Sequence, residues 1–192
     1  LVLGPTSKLV DGSLEGCGAV ICTGRPGNTR SRQTIDRRLD EAGVPFGTVV
    51  HPTAALASGT TIGHGSIILA QVVTTAPIEI GKHVVVMPQT VFTHDDVIED
   101  FTTFGAGVRL AGGVTVEAGA YIGSGALVRE SVTIGTGALV GMGAVVTRDV
   151  PPGEVWVGNP ARHLRTLDGS ALTSSSDGTE AVSIPPTNGS QR

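Results

Sequence analysis

The sequence predicts a mainly β protein built from hexapeptide repeats, and three observations lead to that class. From Val50 to Val146 every sixth residue is apolar at sixteen of seventeen positions, and no insertion interrupts the series. A strand has a period of two and a helix one of 3.6, whereas a β-helix repeat supplies one short strand and one turn every six residues. Glycine is abundant, at 28 of 192 residues, and aromatic residues make up only 3%. That composition suits a solenoid with glycine at its corners and aliphatic side chains inside.

A second series supports the repeat. The residue four places after each member of the first series is also restricted in type, and only Ile78 and Asp96 depart from its pattern. Large aliphatic residues alternating with small ones would fill a narrow prism. Three hexads make one coil of eighteen residues, so residues eighteen apart should be neighbours. Glycine directly follows the first series at six positions, where we expect turns that need its backbone freedom: Gly63, Gly81, Gly105, Gly123, Gly135 and Gly141.

Residues 1–49 precede the repeats and predict a different structure. Apolar runs at 18–24 and 46–50 predict two strands, and the stretch between them predicts a helix that Gly43 ends. Strand, helix and strand form an α/β unit, which is too small to make a sheet of its own. We therefore expect a partial, N-terminally truncated α/β subdomain ahead of the repeats.

The turn before that helix is a weak candidate for a ligand site. Asn28 or Thr29 would cap the helix. Residues 25–28 would lie at the carboxyl end of a strand and beside a helix N-terminus, where α/β sheets bind phosphate. A plain connecting turn explains the same residues equally well.

The repeats give way to other patterns near the C-terminus. Pro151-Pro152-Gly153 cannot continue the ladder. Residues 154–157 predict a last strand and residues 162–165 a short cap. The β-helix domain is therefore expected to span 50–165. The Ser-, Thr-, Gly- and Pro-rich segment 166–192 predicts a disordered tail.

Composition excludes several classes of function. A net charge of −4, with 16% charged residues, provides no basic surface for nucleic acid. No apolar run approaches the roughly 20 residues of a membrane span, and no signal peptide is visible, so a cytoplasmic protein is expected. Cys17 and Cys22 are too few for a disulfide scaffold and are expected to be buried, reduced thiols.

Three segments carry a resemblance to a known family. They are the repeats from Val114 to Pro151 with Val157-Gly158-Asn159-Pro160-Ala161-Arg162, the segment Phe92-Thr93-His94-Asp95-Asp96-Val97-Ile98, and His51-Pro52 after an α/β piece. Together they resemble the bacterial sugar acetyltransferases of the hexapeptide-repeat family, which O-acetylate sialic acid or N-acetylate nucleotide-linked 4-amino sugars. The resemblance implies a left-handed parallel β-helix and a homotrimer. It also implies acetyl-CoA between subunits and a nucleotide-sugar acceptor on the α/β part.

The resemblance assigns the chemistry to His94 and Asp95. His94 matches the family's catalytic histidine, which would be the general base, and Asp95 matches the acid that orients it. The eighteen-residue coil separately places Gly112 and Gly113 beside this pair, as a shelf that we expect to admit the thioester. The alternative is that His94 is a histidine in a surface turn with no catalytic role.

Other site residues are implied by the same resemblance. Thr103 stands where the family often has a second histidine, and Met87 replaces a common asparagine, so Met87 is a candidate for acceptor recognition. The candidates for acetyl-CoA binding are Thr103, Ser124, Gly125, Met142, Gly143, Arg148 and Arg162, with Arg165 as a further cation.

Two rival functions remain open. A metal-dependent carbonic anhydrase on this fold needs three converging histidines. His64, His83 and His94 are 19 and 11 residues apart, whereas residues that stack on each other in successive coils are eighteen apart. The three histidines should therefore not converge, and no metal is expected. The second rival is a non-catalytic trimeric scaffold that binds sugar nucleotides. The identity of the acceptor sugar, and N- against O-acetylation, also stay open.

Overall fold

The structure, a computed structural model, describes residues 17–23, 26 and 30–167. Within them the chain forms one short helix followed by a parallel β-solenoid of about six turns. The predicted helix cap at Asn28 or Thr29, most of the turn at 25–28 and the tail from 168 onward lie outside the described residues.

The elements follow in chain order. Helix α1 covers Arg30–Glu41. The strands are β1 Val49–Val50, β2 Thr61–Ile62, β3 Ile67–Ile68, β4 Val73–Thr74, β5 Glu79–Ile80, β6 Val85–Val86, β7 Val91–Phe92, β8 Val97–Ile98, β9 Thr103–Phe104, β10 Arg109–Leu110, β11 Thr115–Val116, β12 Tyr121–Ile122, β13 Leu127–Val128, β14 Thr133–Ile134, β15 Leu139–Val140, β16 Val145–Val146, β17 Glu154–Val157 and β18 Arg162–Thr166.

Three sheets form the faces of a triangular prism. Sheet A has the order β1-β3-β6-β9-β12-β15-β17-β18, sheet B has β16-β13-β10-β7-β4, and sheet C has β14-β11-β8-β5-β2. Paired residues in the repeats are eighteen apart, as Val85 and Thr103 show. This register confirms the coil length that the six-residue period predicts.

The first series forms the core, as predicted. Apart from Leu56, which lies in no strand, its members are each the second residue of a two-residue strand, and they are buried from Ile68 to Val146. Thr74, the polar exception, is also buried, and its hydroxyl accepts a 2.7 Å hydrogen bond from the amide of Ala57. At the open first coil, Val50 is 43% exposed because no coil covers it within the described residues.

The expected reason for the six glycines that follow the series is wrong. None of them has a positive φ; the left-handed residues of the corners lie two places later, as at Gly125 with φ 70°. The six are needed because the next coil approaches too closely for a side chain. A Cβ on Gly105 would lie 2.4 Å from the amide nitrogen of Ser124, and one on Gly123 would lie 2.6 Å from that of Met142.

The N-terminal piece forms the predicted helix but less sheet than predicted. Gly43, with φ 68°, donates its amide to the carbonyl of Asp40 and ends α1. The strand predicted at 46–50 is divided, because Phe46 pairs with Ala19 in a single parallel bridge while Val49–Val50 joins sheet A of the solenoid. The rest of the predicted strand at 18–23 pairs with nothing in the described chain.

The expectation of buried thiols is also wrong. Cys17 and Cys22 are both free and exposed. Ala19 and Ile21 are the residues of this extended run that point inward and are buried.

Helix α1 packs against the solenoid through polar contacts of two of its residues, Arg32 and Asp36. The buried guanidinium of Arg32 donates to the carbonyl of Phe101 and, at 2.7 Å, to the hydroxyl of Thr103. Asp36 Oδ1 lies 2.8 Å from Nε2 of the buried His83, in a close contact that lacks the alignment of a hydrogen bond and becomes an ion pair only when His83 is protonated. These contacts fix the N-terminal piece on the solenoid.

The C-terminal end closes the prism. β17 confirms the predicted last strand and stacks on β15. The predicted short cap at 162–165 is instead a strand, β18, which runs antiparallel to β17, so the predicted boundary at 165 falls inside this strand. No helix of the described chain combines the length and apolar character that crossing a bilayer requires.

Candidate active site

His94 and Asp95 form a hydrogen-bonded pair at a corner of the prism. They follow β7 in the turn toward β8, and Asp95 Oδ2 lies 2.8 Å from His94 Nδ1. The side chains are 70% and 83% exposed. Asp95 has a φ of 60°, which bends the chain sharply and is a conformation that aspartate adopts more readily than most residues. The pair is therefore open to a ligand.

The corner of the next coil accommodates the imidazole. A Cβ on Gly112 would lie 2.4 Å from Cε1 and 2.5 Å from Nε2 of His94. The ring thus occupies the space above Gly112. The expected role of Gly112 and Gly113 in admitting the thioester stays a prediction. Gly113 donates its amide to the His94 carbonyl at 2.9 Å, and a Cβ on Gly113 would lie 3.7 Å from Oγ of Ser131.

Asp96 is buried directly behind the pair. Its Oδ2 accepts the amide of Thr93 at 2.8 Å, and its Oδ1 accepts the amide of Val114, in the next coil, at 2.9 Å. Burial raises the pKa of this carboxyl to about 6, against the opposing effect of those two hydrogen bonds. The sequence marked Asp96 as a departure from the small-residue series but gave no role for it.

The remaining site candidates lie mostly at another corner. We call the turns that join sheet B to sheet C at His94, Asp95, Gly112 and Gly113 the His94 corner. The Ser124 corner comprises the turns that join sheet A to sheet B, and its residues are Met87, Ser124, Gly125, Met142 and Gly143. One chain therefore does not bring the predicted donor-binding residues to His94.

The two predicted arginines lie near the C-terminal end of the prism. Arg148 lies at the same corner of the prism as His94, three coils further along the chain. Its guanidinium is 5.1 Å from the centre of the Trp156 ring. Arg162 is exposed and donates to the Ala161 carbonyl at 2.8 Å. Neither contacts another predicted site residue in the described chain.

A cavity of about 290 Å³ lies between the N-terminal piece and the solenoid. Its lining includes the predicted residues Met87, Thr103 and Ser124 and also residues that sequence reasoning missed: Cys22, Thr23, Arg32 and Tyr121. Burial lowers the pKa of Arg32 to about 10. Arg32 and Leu39, the two buried residues of α1, are seven residues apart, so the period of the helix could have identified this inward face.

His64 and His83 take part in an aromatic cluster. Their rings are 5.3 Å apart, and His83 also stacks on Phe101 at 5.1 Å and meets the edge of Phe46 at 4.7 Å. Among the residues that the structure describes, no group of three or more His, Cys, Asp or Glu side chains is arranged to hold a metal ion.

Comparisons with known proteins agree on one family, although no family model matches. GDP-perosamine N-acetyltransferase of Escherichia coli O157:H7 is 38% identical over 95 residues, a match that covers 50% of this chain and 43% of that relative. A variant of perosamine N-acetyltransferase from Caulobacter crescentus, solved with CoA and GDP-perosamine, is 30% identical with a TM-score of 0.80, covering 85% of this chain and 77% of that one. The acetyltransferase domain of PglB from Neisseria gonorrhoeae, solved with acetyl coenzyme A, is also 30% identical, with a TM-score of 0.77 and coverage of 83% and 77%. The chain belongs to the hexapeptide-repeat family of bacterial nucleotide-sugar acetyltransferases, and its fold is the left-handed parallel β-helix predicted from the sequence.

Proposed function

We propose that this protein transfers an acetyl group from acetyl-CoA to the amine of a nucleotide-linked amino sugar. The observation that carries the proposal is the 2.8 Å hydrogen bond between His94 and Asp95 at an open corner over Gly112. Family membership supports the donor, and the named relatives support an N-acetyl product. Because the matched segment spans less than half of the curated relative, the acceptor is proposed by class only.

The geometry supports general base catalysis by His94. With the ring proton on Nδ1, Asp95 Oδ2 accepts a hydrogen bond from that N–H, which leaves the lone pair of Nε2 available to a substrate. As the acceptor nitrogen forms its bond to the thioester carbonyl, Nε2 takes the proton from that nitrogen. The carbon–sulfur bond then breaks, and the departing sulfur takes up a proton as free CoA. No redox partner enters this balance.

A second copy of the chain would complete the donor site. Ser124, Gly125, Met142 and Gly143 lie at a different corner of the prism from His94, and Gly125 and Gly143 leave open space that suits a pantetheine arm. We infer a homotrimer in which the Ser124 corner of one subunit faces the His94 corner of its neighbour. Arg148 and Arg162 would meet the CoA phosphates. Sedimentation should give three times the mass of one chain; a fully active monomer would contradict this arrangement.

The cavity behind α1 is the proposed acceptor site. Arg32 supplies a buried positive charge, Thr23, Thr103 and Tyr121 supply hydroxyls, and Met87 lines the same space. A phosphorylated sugar offers the negative charge and the hydrogen-bonding groups that match such a lining. A cytoplasmic location of the reaction is part of this proposal.

An assay of CoA release separates this function from a non-catalytic scaffold. Full-length protein is incubated with acetyl-CoA and a panel of nucleotide-linked sugars that differ at one carbon of the sugar. That carbon carries a free amine, a free hydroxyl or neither. Release of the CoA thiol with an amino sugar alone is the expected result. Release with a hydroxyl sugar alone would shift the assignment to O-acetylation, and no release with any acceptor would favour the scaffold.

A further inference from the structure

The solenoid ladder is interrupted at the coil that carries His94. β7 and β10 share a single residue pair, Val91 with Arg109, whereas β4 with β7 and β10 with β13 share two pairs each. In the coils on either side, the residue after each sheet B strand donates its amide to the next coil. Those bonds are Thr75 to Phe92, Ala111 to Val128 and Arg129 to Val146.

At the interrupted coil, the side chain of Asp96 accepts the hydrogen bond of the backbone amide that has no partner in the ladder. By the eighteen-residue register, Thr93 should donate to the carbonyl of Leu110, but its amide instead donates to Asp96 Oδ2. The other oxygen of the same carboxylate accepts the amide of Val114. One buried side chain thus joins the residue before His94 to the residue after Gly113.

The column in which Asp96 lies shows that the carboxylate is not needed for the fold. The corresponding positions of the neighbouring coils are Ile78, Val114 and Val132, which are buried aliphatic residues. Asp96 is only 2% exposed, and a carboxylate there loses hydration. The buried carboxylate of Asp96 thus lowers the stability of the fold, and it lies at the corner that carries His94 and Asp95. This combination indicates a role in the site.

We propose that Asp96 is a positioning residue, which draws the Thr93 amide out of the ladder and so holds the His94 ring across Gly112. The inference rests on the proposed function for its catalytic meaning, but the ring position can be tested without activity.

The test replaces Asp96 with the residue of the neighbouring coils. In a crystal structure of Asp96→Val we expect Thr93 to donate to the Leu110 carbonyl and the His94 ring to leave Gly112. The melting temperature should be no lower than in wild type, because the aliphatic column is restored. The kcat for acetyl transfer should fall on the order of tenfold to hundredfold, with the KM for acetyl-CoA nearly unchanged.

Ser66→Ala is the matched control. The Ser66 hydroxyl accepts the amide of Val84 in the next coil at 2.9 Å, which is the same kind of bond at a different corner. Its loss should lower stability and leave kcat as in wild type. Asp96→Asn, which keeps one acceptor oxygen, should give an intermediate kcat.

The possible outcomes distinguish the two proposals. A His94 ring that stays over Gly112 in Asp96→Val, or an unchanged kcat in that variant, would overturn the positioning role. If wild type transfers no acetyl group to any acceptor, the proposed function fails, but the ring position in the variant structure still decides the inference about Asp96.

Discussion

At the scale of the residue, the site depends on how closely successive coils approach. The eighteen-residue register predicts that Gly112 and Gly113 are neighbours of His94 and Asp95, and the structure agrees. The register does not reveal that the ring occupies the space over Gly112. Side-chain direction depends on the left-handed backbone at Asp95 and on the hydrogen bonds of Asp96, which a pattern of apolar positions does not encode.

Gly112→Ala tests the close approach directly. The new methyl group would lie 2.4 Å from Cε1 of His94, so the ring must move. Gly112 does not have a positive φ, and alanine adds no backbone strain there. We expect kcat to fall about tenfold to hundredfold while the melting temperature changes little.

Gly137→Ala serves as the control for this substitution. Gly137 has a φ of 64° and open space on its Cβ side. Alanine there should cost on the order of 1 kcal/mol of stability, through backbone strain alone, and leave kcat unchanged. If Gly112→Ala kept the wild-type kcat, the ring position would not matter to the reaction.

At the scale of the element, helix α1 is predicted well and its surroundings are not. The helical period and Gly43 give its position, and the seven-residue spacing of the buried Arg32 and Leu39 could also have given its inner face. One of its contacts with the solenoid joins Asp36 and His83, which are 47 residues apart and belong to different periodic patterns. No local feature of the sequence predicts this contact. Likewise, no local feature predicts that β1 pairs with the solenoid instead of with the α/β piece.

The contact between α1 and the solenoid should depend on pH. Burial lowers the pKa of His83, Asp36 partly opposes this, and His64 and Lys82 add to the lowering. Because the folded-state pKa lies below the unfolded value of about 6.5, the unfolded chain binds the extra proton first, and stability falls as the pH drops through that value. Asp96 acts in the opposite direction, since its raised pKa makes the folded state bind the proton as the pH falls below about 6.

Asp36→Asn separates the two effects, because Asp96 contributes equally to wild type and variant. Without the Asp36 charge, protonation of His83 is more costly in the folded state. We expect the variant to lose more unfolding free energy than wild type between about pH 7.5 and pH 5.5, measured by urea denaturation. Asp40→Asn removes an exposed carboxylate from the same helix and should follow wild type. Parallel pH curves for Asp36→Asn and wild type would show that Asp36 does not influence the protonation of His83.

At the scale of the whole molecule, the period of six is sufficient to predict the prism. It is not sufficient to predict how the residues of the proposed active site come together. It gives the core, the coil length and the strand positions, because each coil buries its side chains against the next in a repeating way. It does not place the Ser124 corner beside the His94 corner, since these belong to different corners of one chain. In the homotrimer that we propose, a neighbouring subunit would bring these two corners together, and a contact between subunits leaves no periodic mark in the sequence.

The most direct measurement is the rate of acetyl transfer by His94→Ala and His94→Asn, with an acceptor that wild type uses and at saturating acetyl-CoA. The His94 side chain is 70% exposed, and its neighbours Asp95 and Gly112 belong to the site and not to the core. Both variants should therefore fold with nearly unchanged melting temperatures. We expect kcat to fall by on the order of 10²–10⁴-fold, as removal of a general base requires. Turnover close to that of wild type in either folded variant would contradict the assignment of His94 as the base.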